Sequence, residues 1–198
     1  MRVTKTTGIG FKPVFLSILE GIVGGVKLAT TELPTNVYRL PRGTLLSTTS
    51  TAKVYQPLKV AKSCETQTAG TALRFTRNDN PLLFKVGEFI AKYAATTGST
   101  ITRITNSANT VVIATSSSLG TLATATRILE VAAAGATLKK YTPSAILKDT
   151  VTVREEDGTT LDNVLVAAVL RGSVQESALD YYVTAADKTS LDDRLRFE

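Results

Sequence analysis

Thr150-Val151-Thr152-Val153-Arg154-Glu155-Glu156-Asp157-Gly158, and shortly after it Asn163-Val164-Leu165-Val166-Ala167-Ala168-Val169-Leu170-Arg171-Gly172, is the stretch on which the fold turns. Val and Thr are β-branched and suit a pleated surface, and Asp157-Gly158 between two such runs predicts a hairpin, because glycine takes positive φ without a steric cost. The run from Val164 to Leu170 is too short to span a membrane and too apolar for an exposed strand. It predicts a central strand covered on both faces. After Ser173-Val174-Gln175-Glu176-Ser177-Ala178-Leu179 comes a polar stretch from Thr184 to Leu195 that predicts a short helix, with Thr184 as N-cap and Asp187 near its positive end. Arg196-Phe197 then predicts a short strand or tail.

Upstream the period changes more than once. Phe15, Ile18, Leu19 and Ile22 are spaced by three and four residues, so Pro13 to Gly21 predicts a short amphipathic helix opened by proline and stopped by glycine. Pro13, Glu20 and the glycines 10, 21, 24 and 25 interrupt the apolar stretch 11–26, so a signal peptide is not expected there and synthesis in the cytoplasm is. From Val37 the pattern alternates: Tyr38, Leu40, Thr44, Leu45, Val54, Tyr55, Leu58 and Val60 surround the polar loop 47–51, which predicts a hairpin. Ala69-Gly70 is a turn before Ala72-Leu73-Arg74-Phe75, and Asn78-Asp79-Asn80-Pro81 is the strongest loop signal in the chain. Strands are expected at residues 84–90, at 99–104 with Ile101 and Ile104 inward, at Val111-Val112-Ile113 and at 127–131. For residues 122–134 a helix is the alternative, and the β-branched content favours a strand with Glu130 on a half-buried edge.

An apolar strand ending in Arg171-Gly172-Ser173-Val174, then Glu176-Ser177-Ala178-Leu179, a short helix and a terminal Arg196-Phe197 resembles the C-terminal part of the head-decoration (auxiliary capsid) proteins of tailed bacteriophages. Leu40-Pro41-Arg42-Gly43-Thr44-Leu45-Leu46, followed by Ala52-Lys53-Val54-Tyr55-Gln56-Pro57, is similar to the Pro-x-Gly-Thr opening of the same family's small barrel. The resemblance covers residues 37–60 and 140–197, under half of the chain. Together with strands punctuated by turn residues at short intervals, it gives the expected architecture of a mainly β chain: a decoration-type β-barrel or sandwich module at 37–77 plus 140–198, an inserted β unit at 82–135, and an N-terminal arm at 1–36. It also implies that the major capsid protein is the partner and that the chain forms a homotrimer on the capsid exterior.

Composition narrows the chemistry. The 198 residues include no histidine and one cysteine, so zinc sites built on His and Cys, internal disulfides and histidine-dependent triads have no material. Cys64 is expected to be a small, partly buried side chain. The net charge of +6 comes from singly scattered residues, with Lys139-Lys140 the basic pair, so no nucleic-acid track is expected. Glu155, Glu156 and Asp157 point in different directions from a turn and make a poor chelate, and Lys188-Thr189 lacks the preceding glycines of a phosphate loop. No catalytic residue, metal or cofactor is expected.

The function expected is structural: an auxiliary capsid protein whose β module grips the shell, with no membrane site. Its interface is expected at Phe11, Phe15, Ile18 and Leu19 of the arm, used as a latch or packed on its own barrel, and at Arg171, Tyr181, Tyr182, Arg194 and Phe197. The alternative is a head fibre or surface adhesin that binds host glycan through Phe84, Phe89 and Tyr93; a hydrolase is a third reading.

Overall fold

The structure, a computed structural model, describes residues 14–22, 24–48, 54–76, 82–93, 98–107, 110–136, 140–155, 157–162, 164–179, 183, 185–191 and 194–198. In chain order the strands of the first third are β1 (Phe15–Gly21), β2 (Val26–Leu28), β3 (Arg39–Leu40), β4 (Leu45–Thr48), β5 (Val54–Pro57) and β6 (Val60–Lys62). The middle of the chain supplies β7 (Ala72–Thr76), β8 (Phe89–Lys92), β9 (Gly98–Asn106), β10 (Thr110–Thr115) and β11 (Arg127–Val131). The last third contributes β12 (Ala145–Leu147), β13 (Val151–Thr152), β14 (Leu165–Val166), β15 (Ala168–Val174), helix α1 (Ala185–Leu191) and β16 (Leu195–Phe197).

Two curled sheets account for most of these strands. In the first the order is β1-β15-β12-β4-β5-β2-β14, with β16 parallel to β15. Its two ends are continuous in the chain, since β1 runs on into β2 and β14 into β15 through Ala167. Pairs from Phe15↔Val174 to Gly21↔Val169 continue as Val26↔Val166 and Lys27↔Leu165, so the ladder curls back on itself as a small barrel. Its interior holds Leu28, Val37, Leu40, Leu46, Ala145, Leu147, Val166 and Ala168, all buried. Val14, Leu45, Ile146, Val169, Val174, Val183 and Leu191 form a second cluster beneath α1. The second sheet, β6-β11-β8-β9-β10-β7, wraps a separate core of Phe75, Phe84, Ile90, Ile101, Ile113, Leu122 and Ile128.

The expected helix at 13–21 is instead the edge strand β1. Its register against β15 shifts between Phe15 and Ser17, between Ile18 and Glu20, and again at Gly21. Such bulges break the two-residue alternation and leave apolar residues at helix-like spacing. Residues 15–21 and 26–28 of the expected arm are therefore sheet strands, while Phe11 and the rest of residues 1–13 lie outside the described residues. The apolar run 164–170 is likewise not one covered strand. It is divided at Ala167, Leu165 on its outer side is 67% exposed, and only β15 is central. The Asp157-Gly158 turn forms, with Gly158 at φ +88, but it does not join that run: it is closed by Arg154↔Thr160, and β13 pairs with β3.

Elsewhere the pattern holds closely. The hairpin of β4 and β5 pairs Leu46↔Pro57 to Thr48↔Tyr55, β11 spans the expected residues 127–131, and α1 is followed by the short strand β16. Phe84 is a correction. It sits in a buried loop before the turn at Gly87, and the strand begins only at Phe89. The sheet boundary falls between β5 and β6, so residues 60–76, expected in the decoration-type module, pair within the second sheet. The loop 78–81 lies outside the described residues.

Gly172 is the position at which β1 can lie down on β15. A Cβ there would stand 2.3 Å from the Ser17 carbonyl oxygen, on backbone that cannot retreat because Gly172 N–H also donates to Arg194 O at 3.0 Å. Gly172→Ala is expected to cost about 2 kcal/mol in urea unfolding, as overpacking does. Hydrogen exchange should show faster amides in β1 and unchanged ones in β10 and β11.

Candidate functional site

The exposed side of β1 comes first. As the end strand of its sheet it has one edge without a partner among the described residues, so every second N–H and C=O faces outward. Six of its seven residues are exposed, among them Leu16, Ile18 and Leu19, the last at 78%. Glu20 stands opposite Arg171, and with Leu170 and Arg194 they line a shallow depression beside the strand. Ile18, Leu19, Arg171 and Arg194 are thus brought to one corner of the barrel. Phe15 and Phe197 are half-buried: both pair with Val174 from opposite sides and pack on the cluster under α1. Lys188, ion-paired to Glu176, lies 5.8 Å from the Phe197 ring centre. Tyr181 and Tyr182 lie outside the described residues, as Phe11 does.

The second feature is a charged neck where the chain passes between the sheets. Leu58 N–H still donates to Leu45 O of the barrel at 2.9 Å, while the carbonyl of Lys59 accepts from Glu130 N–H of β11 at 3.2 Å. The returning chain meets the same residue, because Lys140 N–H donates to Glu130 O at 3.1 Å. At this crossing the Lys59 side chain, 1% exposed, is ion-paired with Glu88, and its Nζ lies 3.9 Å from Glu130 Oε2. Lys140 Nζ donates to Glu130 Oε1 at 2.7 Å. Glu88 Oε2 accepts the backbone N–H of Lys85 at 2.8 Å, and Lys85 Nζ reaches across to Thr31 O at 3.0 Å. Leu83 enters the barrel core while its neighbour Phe84 enters the core of the second sheet, so the apolar and charged contacts reinforce one junction.

Burial raises the Glu130 carboxyl above the ordinary glutamate value, with Lys140 and Lys59 opposing it. Burial pulls Lys140 down, but the hydrogen bond and charge of Glu130 outweigh it and hold this ammonium above the usual lysine range. Sequence patterning placed Glu130 on a half-buried edge. It sits instead on an interior strand between β6 and β8, 4% exposed, because both neighbours of β11 cover it. The meeting of Lys59, Glu88, Glu130 and Lys140 had no local signal: they are spread over residues 59–140, and only the strand order joins them.

The remaining candidates are structural in character. Cys64 is half-buried with Sγ 3.4 Å from Arg74 O. Asp157 is exposed, and the Thr159 backbone N–H at 2.8 Å holds its carboxyl below the ordinary aspartate value. No group of three or more potential metal ligands occurs among the described residues. Arg154 is buried with no carboxylate partner among the described residues; its Nη1 donates to Gly158 O at 2.9 Å and to Thr160 Oγ1, locking the turn. Of the aromatics that a glycan platform would use, Phe84 is buried and Phe89 and Tyr93 are half-buried.

Comparison with protein-family models, curated proteins and solved structures finds no match for this chain.

Glu130 and Lys140 allow a pH-resolved test of the neck. A carboxyl whose folded pKa is raised adds stability below its unfolded value and loses that contribution as pH rises through the folded one. Lys140→Met removes the partner that opposes burial and raises Glu130 further. The variant is expected to lose on the order of 2 kcal/mol at neutral pH, discounted for the partial exposure of Lys140. Urea unfolding near pH 4 should show a smaller loss, because Glu130 is then protonated with or without its partner.

Proposed function

We propose that this chain is a structural virion protein, an auxiliary capsid protein that binds and stabilises the major capsid lattice of a tailed-phage particle as a homotrimer. What supports this reading most is the open edge of β1, where Leu16, Ile18 and Leu19 stand in solvent beside Arg171 and Arg194. An unpaired strand edge with apolar side chains is costly to leave in water and is a template for another chain. A repeated shell surface can use such a patch with modest affinity per copy, since many contacts act together. The C-terminal pattern of strand, short helix and terminal strand, which resembles the decoration proteins, folds here onto that edge: β16 and α1 brace β15, and β15 carries β1. The second sheet then stands off the barrel on the charged neck, placed to clamp a neighbouring subunit.

The glycan-binding alternative is less well supported, because Phe84 is committed to the core and its neighbours Phe89 and Tyr93 offer no open aromatic face.

Co-sedimentation with empty shells of the major capsid protein from the same genome tests the reading. The full chain is expected to pellet with shells, and Leu16→Lys combined with Leu19→Lys should weaken binding about tenfold or more. Arg171→Ala should weaken it further, whereas Glu155→Ala should not. Light scattering of the unbound chain should report a trimer. No binding by the folded full chain would overturn the proposal, and equal binding by all variants would overturn the placement of the contact surface on β1.

A further inference from the structure

Lys59 and Glu88 are placed to do more than form an ion pair. Both are anchored by backbone hydrogen bonds: Lys59 O accepts from Glu130 N–H, and Glu88 is held by Glu88 N–H to Lys85 O at 3.3 Å and Ile101 N–H to Glu88 O at 2.8 Å. The Lys59 ammonium touches Glu88 Oε1, while Glu88 Oε2 accepts the Lys85 backbone N–H at 2.8 Å. A second carboxylate, Glu130, has an oxygen 3.9 Å from Lys59 Nζ that is buried and without a hydrogen-bond partner. A crevice lined by Leu58, Lys59, Val60, Glu130 and Tyr141 offers about 10 Å³, room for one water at most.

We propose that Lys59 and Glu88 condense into an intramolecular isopeptide bond, with Glu130 as the proton carrier. The Lys59 ammonium passes one proton to Glu88 Oε1, which it touches, so that a neutral amine faces a neutral carboxyl. The amine lone pair attacks Glu88 Cδ, forming the N–C bond; negative charge develops on Oε2, where the Lys85 N–H already donates, and Glu130 takes a proton from the nitrogen. The Cδ–Oε1 bond then breaks. Oε1, which already carries one proton, takes the second from Glu130 and departs as water, leaving a secondary amide. An ammonium and a carboxylate thus become an amide and one water, with no oxidant, reductant or activated donor required.

Three physical features favour this step here. Fixed neighbours convert a bimolecular condensation into a unimolecular one, which is worth many orders of magnitude in effective concentration. A buried ion pair carries a desolvation penalty, and the amide removes two of the four charges at the neck. Those left, Glu130 and Lys140, already form a balanced pair at 2.7 Å. Burial also raises the Glu130 carboxyl above the ordinary glutamate value, which suits a group that must take up and return a proton. The bond would close residues 59–88 into a covalent loop at the root of the second sheet.

Intact mass spectrometry of the purified full chain decides the matter. The expected mass is one water below that of the sequence, and a tryptic digest should give a branched peptide joining Lys59 to Glu88. Lys59→Arg should carry its full sequence mass. Glu88→Gln should lose ammonia in place of water, which identifies residue 88 as the acyl donor. Glu130→Gln, checked for native circular dichroism, should stay uncondensed although it keeps the shape of the side chain. A wild-type chain at full sequence mass would overturn the cross-link, and complete condensation in Glu130→Gln would overturn the proton-carrier role.

Discussion

The hydrogen bonds that β1 and β2 make along the length of β14 and β15 hold the first sheet in its curl, and most other features depend on them. Without that ladder β15 would be an unprotected edge, β2 would have no partner beyond β5, and Val166, Ala168 and Val169 would lose the walls that bury them. The constraint comes down to a close approach. At Gly172 the backbones meet with no room for a methyl group, and bulges on β1 absorb the mismatch between a curled strand and its neighbour. The same bulges turn Leu16, Ile18 and Leu19 outward. The exposed apolar edge is therefore a by-product of how the barrel closes, placed where a partner can complete the sheet.

At the neck the balance of forces is different. The apolar cores of the two sheets are separate, and what joins them is a narrow set of contacts: Leu83 in one core beside Phe84 in the other, Lys85 on Thr31, and four alternating charges around Glu130. Buried charge is a weak source of stability but a strong source of specificity, because a shifted register would leave an ion without its counterion. Each sheet can thus be stable through its own interior while their relative placement is set electrostatically. Covalent closure between Lys59 and Glu88 would convert that specificity into permanence.

The proposed attachment surface and the neck place separate demands on the molecule. If a shell supplies the partner of β1, as proposed, its edge has to be open in the free chain, and Leu16, Ile18 and Leu19 are exposed there. The neck is tied shut instead, by Glu130 of β11 and by Lys59, Glu88 and Lys140 from the loop segments that flank it. Arg154 follows the second logic on a smaller scale, spending its donors on Gly158 and Thr160 to lock a turn whose glycine has positive φ.

Much of the local structure was legible in the residues themselves. Polar loops and glycines mark the β4–β5 hairpin, the turn at Gly158 and the approach to β11, and a polar stretch marks α1, whose expected cap Thr184 lies outside the described residues. These features follow from steric and hydrogen-bonding preferences within a few residues of each other. The state of residues 15–21 was not legible, since bulged strands and amphipathic helices share a spacing and only the unsatisfied edge of β15 chooses between them. Nor was the partition of the chain: β6 and β7 join the second sheet because β11 and β10 lie beside them, a pairing set across dozens of residues. By itself, then, the sequence determined a mainly β chain poor in reactive side chains. Only the tertiary structure decided which carboxylate lies against Lys59 and which apolar strand remains in solvent, because both depend on contacts between residues far apart in the chain.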